Sequence, residues 1–174
     1  MSTQTGQLTE EQKSKLGHLK PEQIEKLHQN PNVFSWAKVM ASRDIPIGHE
    51  LEPRVFHATQ DKLRIYFGGP NKASRHTDFP AAWHTGIPRV VVMVNHIAEY
   101  MGAMLVRFFG EGYIGGHLDW LAIRVPIEDD TFTIHMVVKD KVEEGKRMRI
   151  LLDMWVDNQH GDKAIVGSAS GMVD

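Results

Sequence analysis

The sequence predicts an α+β domain in which an antiparallel sheet wraps one long buried helix. Three observations carry this. Residues 88–109 form a long apolar segment in which Val90, Val91, Val94, Ile97, Ala98, Met101 and Leu105 recur at three- and four-residue steps, the spacing of a helix with a broad buried face. Beyond it, Phe132, Ile134, Met136 and Val138 recur at every second position, as do Met148, Ile150, Leu152, Met154 and Val156 on a second segment, with Arg149, Leu151, Asp153 and Trp155 on its other face. Short turns rich in Gly, Asp and Asn join these segments, which favours antiparallel pairing.

Bulk properties narrow the class. At 174 residues and 41% hydrophobic content the chain fits one domain that buries its core without staples. It has no cysteine, which excludes disulfides and thiolate metal sites and is in keeping with a reducing compartment. A net charge of −2 gives no electrostatic reason to expect nucleic acid as a partner. Asn95, His96, Glu99 and Arg107 interrupt the apolar segment, so no membrane span is expected. The first residues lack the basic and apolar regions of a signal peptide, and the expected location is cytoplasmic.

In chain order, residues 1–42 read as a helical leader. Thr9 and Gln12 have capping-box spacing, and Pro21 suits the first turn of a second short helix that ends near Asn30-Pro31. Both segments are highly charged and read as solvated, with Phe34, Trp36, Val39 and Met40 packing the leader against the domain. The domain, 43–174, begins with a turn and a strand at 54–57. Thr59 caps a short helix running to about Phe67, and Gly68-Gly69-Pro70-Asn71 breaks it. A polar loop leads to the central helix, and Gly110, Gly112, Gly115 and Gly116 mark a loop after it. Strands are predicted at 118–125, 131–139, 147–157 and 163–173, with turns at 126–130, 143–146 and 158–162.

Several of these residues form a more specific pattern. His76-Thr77-Asp78 is followed by Ala81 or Ala82 and Gly86; Pro126–Thr131 forms one turn; Asn158–Asp162 forms another, ahead of Gly167 and Ala169. On these, residues 43–173 resemble the MaoC-like hot-dog family of (R)-specific enoyl-CoA hydratases and acyl-thioester dehydratases. The resemblance implies a hot-dog fold, no cofactor, and an acyl-CoA or acyl-carrier thioester as substrate. It also implies a homodimer, an oligomer of dimers, or a heteromer with a related hot-dog subunit, with sheets joined edge to edge and the thioester between subunits.

Hydratases of the family carry a Gly-Asp-x-Asn-Pro-x-His loop and a His-Gly pair before the central helix, whose backbone N–H meets the thioester oxygen. Aligned on His76, the Asp position holds Asn71 and the Asn-Pro positions hold Ala73 and Ser74; counted back from Pro126, the His-Gly pair falls near Met93-Val94. The His is kept, while the Asp and the His-Gly are not. His76 is then the candidate acid–base group, with Asn71 orienting water through its amide. A dyad shifted along the loop would pair Asp78 with His76 or His84, although Asp78 equally suits a cap or turn. Gly86, Val94 and Asn95 are the substrate-contacting candidates.

Two further readings stand beside the hydratase. One is a catalytically impaired acyl-thioester-binding subunit of a heteromeric hydratase, since the departures fall on the chemistry itself. The other is a hot-dog thioesterase using Glu99 on the central helix. His49, His57, His117, His135 and His160 are scattered without metal-ligand spacing, so no metal is expected. Arg107, Lys146, Arg147 and Arg149 are candidates for contact with CoA phosphates or, equally, solvated surface charge.

Overall fold

In the computed structural model the described residues are 40–68 and 73–174. They fall in the second of two units into which the chain divides, Val39–Asp174. The helices expected in the leader, and Asn71, lie outside the described residues. Strand β1 (Arg54–His57) is followed by helix α1 (Gln60–Tyr66), helix α2 (Phe79–His84) and the central helix α3 (Val94–Phe109). A 3-10 turn (Gly110–Tyr113) then leads into β2 (His117–Ala122), β3 (Thr131–Glu144), β4 (Arg147–Asp157) and β5 (Lys163–Val173). The strands form one antiparallel sheet in the order β1-β3-β4-β5-β2.

The sheet closes around α3 because the alternation in β3 and β4 gives both strands one apolar face. Phe132, Ile134, Met136 and Val138, with Ile150, Leu152, Met154 and Val156, pack in one core with Ile97, Met101, Leu105 and Phe108 of the helix. Burial of such side chains contributes roughly 1.5–3 kcal/mol each. Two glycines on β5 allow close approaches. A Cβ on Gly171 would meet the Phe109 ring at 2.5 Å, and one on Gly167 would meet the Asp119 carbonyl oxygen at 2.1 Å.

Four features differ from the sequence reading, each for a local reason. The segment 88–109 is not one helix: residues 90–92, a run of three β-branched valines that disfavours helix, stay extended and buried. Val91 bridges Ile127, Val92 N–H donates to the Pro126 carbonyl, and Glu128 N–H donates to that of Val90. Strand β3 continues past Lys139 because a register shift between Val138 and Asp140 lets the chain run on to Glu144, paired with Arg147. Strand β2 stops at Ala122 because the N–H groups of Ile123 and Arg124 both donate to the Ala164 carbonyl, which ends the regular ladder. The polar loop before the central helix contains α2, capped by Asp78 with a proline in its first turn.

The two turns on which the resemblance rests clasp each other. Gln159 Nε2 donates to Asp130 Oδ1 at 2.8 Å, and Thr131 N–H donates to Gln159 Oε1 at 3.0 Å. Asn158 Oδ1 accepts from the N–H groups of His160 and Asp162. Arg89 holds the other side of the first turn, donating to the Glu128 carbonyl and the Asp129 carboxylate. The start of the central helix is thereby fixed to the sheet.

Candidate functional site

His76 sits in a tight turn. The Ser74 carbonyl accepts from the N–H groups of Thr77 and Asp78, and Ser74 Oγ accepts from His76 N–H. The turn is stitched to the extended stretch before α3: Val91 N–H donates to the Arg75 carbonyl at 2.9 Å, and His76 Nδ1 lies 2.9 Å from the Val91 carbonyl oxygen. A carbonyl only accepts, so Nδ1 carries the proton. Arg75 Nε–H donates to Nε2 at 3.2 Å, which places the lone pair there. The imidazole is therefore neutral with its tautomer fixed by its two neighbours. The Phe67 ring covers it, with centroids 5.8 Å apart.

Arg75 and Val91 also line a cleft of about 300 Å³ whose walls include Ile87, Val94, Ala122, Ile123, Arg124, Val125 and Pro126. Its character is mostly apolar, with two guanidinium groups. Arg124 is partnered by Asp162 at 3.5 Å. Val94 is the first residue of α3, and the N-cap, Met93, supplies no side-chain hydrogen bond. The N–H groups of the first turn, at the positive end of the helix dipole, are thus left without a side-chain cap on this side of the helix.

Val94 lines this cleft; His76 does not, but the two residues that hold its ring, Arg75 and Val91, do. Asn95 is exposed on the first turn of the same helix. Asp78 caps α2, its Oδ2 accepting from Ala81 N–H at 3.4 Å. His84, at the last turn of α2, lies with Phe79, Pro80 and Trp83 along a separate shallow apolar surface. Gly86 closes the turn after α2 with a φ of 80° and donates to the Trp83 carbonyl. Among the described residues no group of three or more His, Asp or Glu could hold a metal ion.

Two residues near the site were not singled out by the sequence. Arg75 engages the candidate base, and its adjacency to His76 was the available signal. His96 was expected on the less apolar side of the helix, with Asn95 and Glu99. Those two are exposed, but His96 is only 8% exposed. It is covered because α1 lays Tyr66 on it, with rings nearly parallel at 4.1 Å, while Phe56 packs edge-on at 4.8 Å. Its Nδ1 is buried without a hydrogen-bond partner. Burial holds the His96 imidazole below its ordinary value, with Glu99 opposing and Lys62 reinforcing the shift. Burial also raises Tyr66, with Glu99 beside it adding to the effect.

No family model and no curated protein matches the sequence. Solved structures do match the fold. A MaoC-like dehydratase from Rhodospirillum rubrum superposes with a TM-score of 0.61 at 15% identity, over 75% of this chain and 93% of that one. The chain has a hot-dog fold. The (R)-hydratase PhaJ1 from Pseudomonas aeruginosa shares that hot-dog architecture, with a TM-score of 0.60 at 15% identity, over 73% of this chain and 81% of that one. So does the HadBC (3R)-hydroxyacyl-ACP dehydratase complex from Mycobacterium tuberculosis, at 0.56 and 13% identity, over 76% of this chain and all (100%) of that one. No helix among the described residues is long and apolar enough to cross a membrane.

Proposed function

We propose that the chain is a hydratase or dehydratase acting on α,β-unsaturated or 3-hydroxyacyl thioesters, with His76 as its acid–base group. The observation that carries this is a neutral imidazole, its tautomer fixed by Arg75 and Val91, two residues that line an apolar cleft bordering the start of the central helix, which has no side-chain cap. The hydratases and dehydratases among its structural neighbours support the same reading.

Hydration adds the hydroxyl of water to C3 of the enoyl thioester and a proton to C2. With Nδ1 held by Val91, Nε2 is the nitrogen that takes the proton from water. The negative charge that then develops on the thioester oxygen is met by the N–H groups of Val94 and Asn95 at the positive end of α3. In this reading Asn71 orients the water but takes no proton, so His76 returns its proton to C2. Losing one acid–base partner costs roughly 10²–10⁴-fold, and slow turnover is expected relative to an Asp-containing site.

A second subunit completes the site in this proposal. Among the described residues strand β2 is an edge of the sheet, and Leu121, Ile123 and Val125 on and just beyond it are 64%, 51% and 58% exposed. Ile123 and Val125 are also walls of the cleft. A second copy or a related chain on this edge would close it, as heteromeric neighbours such as HadBC suggest. The impaired-subunit reading draws on the same residues: the Asp position holds Asn71, and Arg75 already occupies Nε2. The thioesterase reading is less favoured, because Glu99 lies beside Tyr66 and His96, five residues round the helix from Val94 and off the cleft lining.

The test is absorbance-monitored hydration of crotonyl-CoA and of a longer enoyl-CoA, with wild type and His76→Ala compared. Turnover lost in the variant supports the hydratase. A folded wild type that turns over neither substrate, alone or mixed with a related hot-dog subunit, rejects it.

A further inference from the structure

We infer that Arg75 is an anion-responsive latch on His76, releasing the base when an anionic group of the substrate takes its guanidinium. This rests on the hydratase reading of the same site. With Nδ1 committed to the Val91 carbonyl, Nε2 is the sole nitrogen able to accept a proton, and Arg75 Nε–H already fills it at 3.2 Å. As it stands, the imidazole has no open lone pair. Chemistry at His76 therefore requires the Arg75 side chain to leave.

The structure makes that departure easy. The bond is long at 3.2 Å and runs to a neutral acceptor, whereas a phosphate or carboxylate would add the attraction of opposite charges and a bidentate fit to the guanidinium. The backbone of Arg75 is held by Val91 N–H, so the turn keeps its shape while the exposed side chain swings. Among the described residues no carboxylate pairs with Arg75, whereas Arg124, the other guanidinium on the cleft, has Asp162. Arg75 is thus an unneutralised cation at the wall of an apolar cleft. The anionic oxygens it would take come either from the phosphates of a CoA-type carrier or from a carboxylate on the acyl chain.

Nitrogen NMR of the histidine side chains reads the latch without turnover. The probes are coenzyme A, which carries phosphates; glutaryl-pantetheine, which carries only an acyl carboxylate; and pantetheine, which carries neither. The expected result is that His76 Nε2 moves towards the signal of an unbonded ring nitrogen with an anionic probe and stays put with pantetheine. Response to coenzyme A alone assigns the phosphate, and response to glutaryl-pantetheine alone assigns the carboxylate. Arg75→Met should show the released signal with no probe present. It should also hydrate crotonyl-pantetheine about tenfold faster than wild type does, while Arg75→Lys, which keeps the charge, should still discriminate between probes. A His76 signal unmoved by both anionic probes, or moved equally by pantetheine, overturns the latch. Failure of the hydratase reading shows separately, as absent turnover in every variant while the His76 signal still responds.

Discussion

Gln159 and Asp130 join two turns that are nearly thirty residues apart in the chain, through a 2.8 Å bond from the Gln159 amide to the Asp130 carboxylate. The same side chain accepts from Thr131 N–H, so one amide fixes both turns. The first of these turns carries Pro126, whose carbonyl holds Val92 just before the central helix. Gln159→Ala removes both bonds. The expected loss is about 1–2 kcal/mol, seen as a fall in Tm of roughly 2–8 °C, with a smaller decrease in hydratase turnover than His76→Ala gives.

Asp78 offers a clean separation of stability from chemistry. Its carboxylate caps α2, and removing such a cap typically costs about 1 kcal/mol. Asp78→Ala should therefore lower the urea midpoint while leaving kcat within a few-fold of wild type. Asp78→Asn, which still accepts the bond from Ala81 N–H, should restore the midpoint. A drop of 10²-fold or more in kcat, the size expected for a lost acid–base group, would return Asp78 to the reaction.

His96 predicts an acid-side loss of stability. Burial keeps its imidazole below the ordinary value of 6.5. As pH falls, the unfolded chain binds a proton on that ring first. The native state loses ground from about pH 6.5 downwards, and the loss levels off below the lowered folded value. His96→Phe keeps the stack on Tyr66 and removes the buried nitrogen without a partner. It should raise stability by about 1 kcal/mol at neutral pH and flatten the dependence of Tm between pH 7.5 and 5. A Tm profile as steep as wild type would show that His96 is not the group responsible.

Gly167 tests the sheet edge. A Cβ there meets backbone atoms of Asp119 and Trp120, and backbone gives way less easily than a side-chain tip. Gly167→Ala should cost about 1–3 kcal/mol or more. Protection from hydrogen exchange should fall first at the β2 amides paired with β5, while the amides shared by β3 and β4 keep theirs.

Where local chemistry decided the structure, the sequence was readable. The bounds 54–57, 147–157 and 163–173 coincide with β1, β4 and β5, because alternation and turn residues determine them within a few positions. Thr59 caps α1 as its spacing implied. What escaped was set by partners distant in sequence. The apolar run before Val94 is extended because Pro126 and Ile127 pair with it. His96 is buried because Tyr66 lies across it. In the candidate site, His76 was visible through a motif, but the occupation of both its nitrogens follows from a turn geometry that residue identities do not encode.

The sheet order has a mechanical consequence. Strands β1 and β2 are its two edges among the described residues, and the described residues from α1 to α3, with His76, Asp78, His84, Gly86, Val94 and Asn95, lie between them in the chain like a bridge deck between two outer piers, tied midway to the turn at Pro126 and Ile127. Edge strands open more readily than inner ones, and β1 is held by only the four residue pairs 54–134 to 57–131. Fraying at either pier would slacken the His76 turn while the three inner strands stay intact. A subunit seated on β2 would tauten it.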